Sequence, residues 1–106
     1  MVMKESDWKQ FKVIKEQALE EYCRHTLSEA QRIIADTSTN SHESYIALFR
    51  HIQKSDKKLG NAFDGHSRSK AQIQLMLLRK MGLVQNEALA QLSEEMQEST
   101  KPSLGT

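Results

Sequence analysis

The sequence predicts an all-α fold, a small bundle of about four helices led by one long N-terminal helix. Three observations point there. Ala, Leu, Glu, Lys, Gln, Met and Arg, the side chains that lose little rotamer freedom in a helix, make up more than half of the 106 residues. Strand formers and turn punctuation are scarce, with few β-branched residues, 4 Gly and a single Pro, Pro102. Apolar residues recur at steps of three and four along most of the chain.

The first helix is expected over Asp7–Ala35. Asp7 and Gln10 have the spacing of a capping pair, and no Gly or Pro interrupts the stretch. It carries two apolar rows, Phe11–Ile14–Ala18–Tyr22 and Leu19–Cys23–Leu27–Ala30–Ile34. The run Asp36-Thr-Ser-Thr-Asn-Ser stops it. A second helix is expected over Ser41–Lys58, capped by Asn40 and Glu43, with Tyr45, Leu48, Phe49, Ile52 and Leu59 inward and Gly60 as its C-terminal cap. Phe63 then reads as a loop residue plugging the core. A third helix is expected over Lys70–Met81, capped by Ser69 and Gln72, ending at Gly82 with Leu83 folding back on it. A fourth is expected over Glu87–Glu98, capped by Asn86, with Ala88, Leu89, Leu92 and Met96 inward. The expected core is Leu48, Phe49, Ile52, Leu75, Leu77 and Leu78. The organisation expected is one helical domain over residues 1–98 and a flexible tail over residues 99–106.

The long first helix bears on assembly. About 29 residues at about 1.5 Å each span roughly 43 Å, against a radius of gyration of about 13 Å for a compact chain of this size. A straight helix that long overhangs a globular monomer, so either it kinks, near Arg24–Ser28, or the bundle is elongated, or its end packs on a second subunit. A homodimer or higher oligomer is therefore expected, with Phe11, Ile14, Ala18, Tyr22 and Leu27 in the contact. A hydrophobic content of 38% and an aromatic content of 6% make the core thin, and a partner chain can complete it.

Charge is segregated. Residues 1–49 are net −2, residues 50–80 net +6 and residues 81–106 net −3. The basic span holds Arg50, Lys54, Lys57, Lys58, Arg68, Lys70, Arg79 and Lys80, with His66 among them. Together with the Gly65-His-Ser-Arg-Ser-Lys70 junction it is a candidate anion or nucleic-acid surface. The segment Leu77–Leu92 has the outline of a helix-turn-helix. Its second arm carries carboxylates and no Lys or Arg, which a DNA phosphate backbone repels.

Other chemistry finds little support. Glu21, His25 and Glu29 share a helical face but read, with Arg32, as a row of charge pairs. No Glu-x-x-His pair, phosphate loop, dinucleotide fingerprint or nucleophile elbow is present. Cys23, the only cysteine, sits on an apolar row as a small packing residue and excludes an intrachain disulfide. No metal, cofactor or catalytic residue is expected. The longest aliphatic run, Leu75-Met76-Leu77-Leu78, is far too short to cross a bilayer, and MVMKESDWKQ lacks a signal-peptide core, so a cytoplasmic protein is expected. The function these features favour is a non-enzymatic, self-associating interaction or assembly module with a regulatory role. Nucleic-acid or anion binding by residues 50–80 is the alternative.

Overall fold

A computed structural model describes residues 3–102. They form α1 (Glu5–Ala35), α2 (Ser41–Phe63), α3 (Arg68–Lys80), α4 (Asn86–Leu89) and α5 (Glu94–Ser99), with no strand among the described residues. The fold is all-α with one long N-terminal helix, as the composition and periodicity require.

α1 runs unbroken for 31 residues, through Arg24–Ser28 without a kink. It starts before Asp7, so Asp7 and Gln10 are not a capping pair. Both are spent on tertiary bonds. The buried Asp7 carboxylate accepts from the Ser93 N–H at 2.8 Å and the Ser93 hydroxyl at 2.7 Å. The Gln10 amide donates to the Ala88 carbonyl at 2.9 Å. These bonds fasten the C-terminal segment across the start of α1.

The turn after α1 is held locally. Asp36 accepts from the Ser38 N–H and hydroxyl, and Asn40 caps α2 by accepting from the Glu43 N–H at 2.8 Å. α2 then continues past Lys58 to Phe63, so Gly60 lies inside the helix and Phe63 is its buried last residue rather than a loop plug. The expected stop at Gly60 fails because Gly60 itself is not left-handed; the positive-φ glycines are Gly65 and Gly82.

α3 begins at Arg68, after Ser67 rather than Ser69, and its end behaves as expected. Gly82 has φ +74°, its N–H donates to the Arg79 carbonyl, and the Leu83 N–H donates to the Leu78 carbonyl at 3.0 Å. This is the Schellman pattern, and Leu83 is buried by it.

The expected single helix over 87–98 is two. α4 ends at Leu89, and Ser93 opens α5 by accepting from the Met96 N–H at 3.2 Å. Ser93 followed by Glu94 and Glu95 is a helix start, a serine cap with two acids in the first turn, and it outweighs the apolar spacing that runs through it. Past α5, Thr100 is fully buried, donating to the Met96 carbonyl at 2.7 Å and accepting from the Arg79 guanidinium at 2.9 Å. The start of the expected flexible tail is therefore tied down; its remainder, residues 103–106, lies outside the described residues.

The core collects Trp8, Phe11, Ile14, Ala18, Ala62, Phe63, Ala71, Leu75, Leu78, Leu83, Leu92 and Met96. Leu75 and Leu78 lie in it as expected, and Leu77 packs against its edge. Leu48 is half-buried, while Phe49 and Ile52 are exposed, contrary to expectation. Length explains the difference. α3 has 13 residues, about 20 Å, and packs on only part of the longer α1–α2 hairpin. Among the described residues, the far half of that hairpin has two helices and no third element to cover it. The molecule is accordingly elongated, 52 × 27 × 24 Å with a radius of gyration of 16.7 Å.

Candidate functional site

The α1–α2 hairpin presents two chemically different sides in the stretch that α3 leaves uncovered. One is apolar. Leu27 is 62% exposed and Ile34 65% on α1, and Tyr45 is 70% and Phe49 58% on α2, with Ile52 beside them. Leu27 and Ile34 are seven residues apart, two turns on one helix face. Tyr45, Phe49 and Ile52 are spaced four and three and likewise share a face. Ile34, Tyr45 and Leu48 line one shallow groove beside the α1–α2 turn, which brings the two rows to the same side of the hairpin. The rows lie side by side on α1 and α2, and no element among the described residues covers them.

The other side is basic. At about 100° per residue, Lys54 and Lys58 fall on the side of α2 opposite Tyr45 and Phe49, and His25 opposite Leu27 on α1. A groove of about 780 Å³ lies there between α1, α2 and the end of α3. Lys54, Lys58 and Lys80 line it with His25 and His51, while Leu77, Met81 and Leu83 provide apolar lining; among the described residues no carboxylate lines it. Its walls are fixed by two cross-helix bonds. The Tyr22 hydroxyl donates to the Ser55 carbonyl at 2.8 Å, and His51 Nε2–H donates to the Thr26 carbonyl at 2.9 Å.

The basic span thus divides into groups with different work. Lys54, Lys58 and Lys80 converge on the groove. Arg50 and Lys57 are exposed on α2 outside it, and Lys70 is exposed on α3 beside Gly65. His66, Arg68 and Arg79 are structural. The His66 ring lies 5.0 Å from the Trp8 ring, and Arg68 sits over Trp8 while pairing with Glu5. Arg79 donates to the Gln97 carbonyl and Thr100, holding the end of α5. The nine residues expected as one surface do not form one.

The expected oligomer contact is corrected in the same way. Phe11, Ile14 and Ala18 are each at most 1% exposed, consumed in the core against α2 and α3, and Tyr22 is half-buried with its hydroxyl bound to Ser55. Of the five, Leu27 alone is free to meet another chain. Leu27 and Ile34 of the second apolar row of α1, together with the outer face of α2, stay exposed.

Other polar groups are bound within the fold. Glu21 pairs with His25 at 3.7 Å, and Glu29 with Arg32, forming the expected row of charges on α1. The hydrogen bond from Arg32, with the nearby positive charge of that guanidinium, holds the Glu29 carboxyl below its ordinary range. Lys15 donates to the Gly65 carbonyl at 2.7 Å, and burial lowers its pKa against the opposing pull of Asp64. The would-be second arm of the helix-turn-helix begins as the four-residue α4, too short to lie along a major groove. Among the described residues no three His, Cys, Asp or Glu side chains converge as metal ligands, and no helix is long and apolar enough to cross a membrane.

No protein-family model, curated protein or solved structure matches the chain.

Proposed function

We propose that this chain is a non-enzymatic helical module that self-associates, its exposed hairpin flank pairing with that of a second copy. The observation that carries the reading is the contiguous exposure of Leu27, Ile34, Tyr45, Phe49 and Ile52. Large apolar groups scattered singly are ordinary on a protein surface, but rows from two neighbouring helices facing one way mark a contact surface.

A second copy is the occupant that suits this flank. Two helices make one layer, and such a layer buries its apolar stripe by packing on another. A second hairpin of the same length completes a four-helix arrangement and presents the same two rows. The contact is then isologous, so Leu27 and Tyr45 each lie near the two-fold-related flank. Assembly of this kind suits a regulatory or scaffolding protein in a reducing compartment such as the cytoplasm, where the single Cys23 stays free.

The test is the variant pair Leu27→Asp and Tyr45→Asp in the full chain. Both side chains are exposed, so each variant should keep its helical circular dichroism while its sedimentation mass falls towards 12.2 kDa. Variants that retain the wild-type mass would place any contact elsewhere. A wild-type chain already monomeric at high concentration would remove self-association altogether.

A further inference from the structure

We propose that the basic groove between α1, α2 and α3 binds a small phosphate-bearing ligand with a ring-sized apolar body, of the nucleoside polyphosphate class. Three features of the groove carry this. Lys54 and Lys58 are one turn apart on α2, and Lys80 comes from the end of α3, so three lysines border one space. None of the three has an ion-pair partner among the described residues. Of the carboxylates on the neighbouring turns of α1, Glu29 is taken up by Arg32, and Glu21 lies beside the His25 ring at 3.7 Å.

Like charges one helical turn apart repel, so Lys54 and Lys58 weaken α2 unless an anion lies between them. Lysine is a compact point charge suited to phosphate, and three around one space favour a polyphosphate over a single carboxylate. The groove is not polar throughout. Leu77 and Met81 line it as half-buried apolar groups that water solvates poorly, and they offer a surface for a flat ring. A volume of about 780 Å³ lies within the range of small-molecule sites, roughly 300–1,000 Å³. The side chains Thr26, Ser55 and Asn61 add neutral donors and acceptors for a sugar. The groove walls are set by the Tyr22–Ser55 and His51–Thr26 bonds within one protomer, so the site needs no second copy.

The experiment is isothermal titration of the full chain, at low salt and without divalent metal, with ATP, inorganic pyrophosphate and adenosine. Lys54→Gln, Lys58→Gln and Lys80→Gln are run beside the wild type. ATP should bind more tightly than pyrophosphate or adenosine, since it engages both the lysines and the apolar lining. Each lysine substitution should weaken ATP several-fold, and added salt should weaken it steeply. The three lysines are exposed, so unchanged circular dichroism is expected of each variant. Tyr45→Asp, on the other side of the hairpin, should leave ATP affinity unchanged whatever it does to assembly. Lack of ATP and pyrophosphate binding at millimolar concentration overturns the proposal. So does ATP binding that is unchanged from the wild type in all three lysine variants, and so does retention of single-stranded oligonucleotide without any nucleotide binding, which would assign the lysines to a nucleic acid.

Discussion

Asp7 shows how one side chain sets the position of a whole segment. Its carboxylate is buried and takes both the N–H and the hydroxyl of Ser93, and that hydroxyl in turn accepts the Met96 N–H. Asp7→Ala leaves the Ser93 N–H without its acceptor and removes charge-assisted bonds, so it should cost about 1–3 kcal/mol in urea unfolding. A cost below about 0.5 kcal/mol would mean that Ser93 is satisfied without Asp7. Gly82 is a second single-residue determinant. Its φ of +74° is left-handed, and no atom lies within 4 Å of an added Cβ, so Gly82→Ala should cost only the backbone strain, about 1–2 kcal/mol. Asp36 gives a titration to follow. The Ser38 hydroxyl, then the Ser38 N–H, hold its carboxyl below the ordinary value of 3.8. A depressed acid stabilises the folded turn above 3.8, and that contribution is lost as pH falls through the lower folded value. The NMR titration midpoint of Asp36 should therefore lie below 3.8, and a midpoint at or above it would mean that the Ser38 bonds do not form in solution.

At the scale of the element, the α1–α2 hairpin has a covered half and an uncovered half, and substitutions should separate them. Leu78 is fully buried, so Leu78→Ala should cost roughly 2–5 kcal/mol of stability. Tyr45 is not, so Tyr45→Ala should alter the unfolding of the isolated protomer by less than about 0.5 kcal/mol, measured at a concentration low enough to dissociate any assembly. What the sequence made legible follows the same division. Local signals were readable: helix periodicity in α1, the Gly82–Leu83 cap of α3, and the turn at Asp36. Local signals of opposite sense were harder to weigh. Ser93-Glu94-Glu95 starts a helix inside a spacing that reads as one continuous helix. Periodicity reports that a face is apolar, but what covers that face depends on the lengths of other helices. Hence Phe11, Ile14 and Ala18 could be read as a contact and Phe49 and Ile52 as core, when the third helix covers the first set and falls short of the second. The basic span posed the same difficulty. Charge totals identify it, but only the packing of α3 against the hairpin brings Lys80 beside Lys54 and Lys58 and turns Arg68 and Arg79 inward to Trp8 and Thr100.

For the whole molecule, shape and surface chemistry point the same way. A chain of 106 residues extended to 52 Å cannot cover its own length with the short α3, α4 and α5. It leaves an apolar flank on one side of the hairpin and a basic groove on the other, so the two proposed contacts do not overlap. Self-association by the apolar flank is the central claim, and sedimentation equilibrium of the full chain over a wide range of concentration tests it most directly. The wild-type mass should rise above 12.2 kDa with concentration and level off at an integral multiple, and Leu27→Asp should hold it at 12.2 kDa with helicity intact. A wild-type mass that stays at 12.2 kDa across the whole range would contradict it.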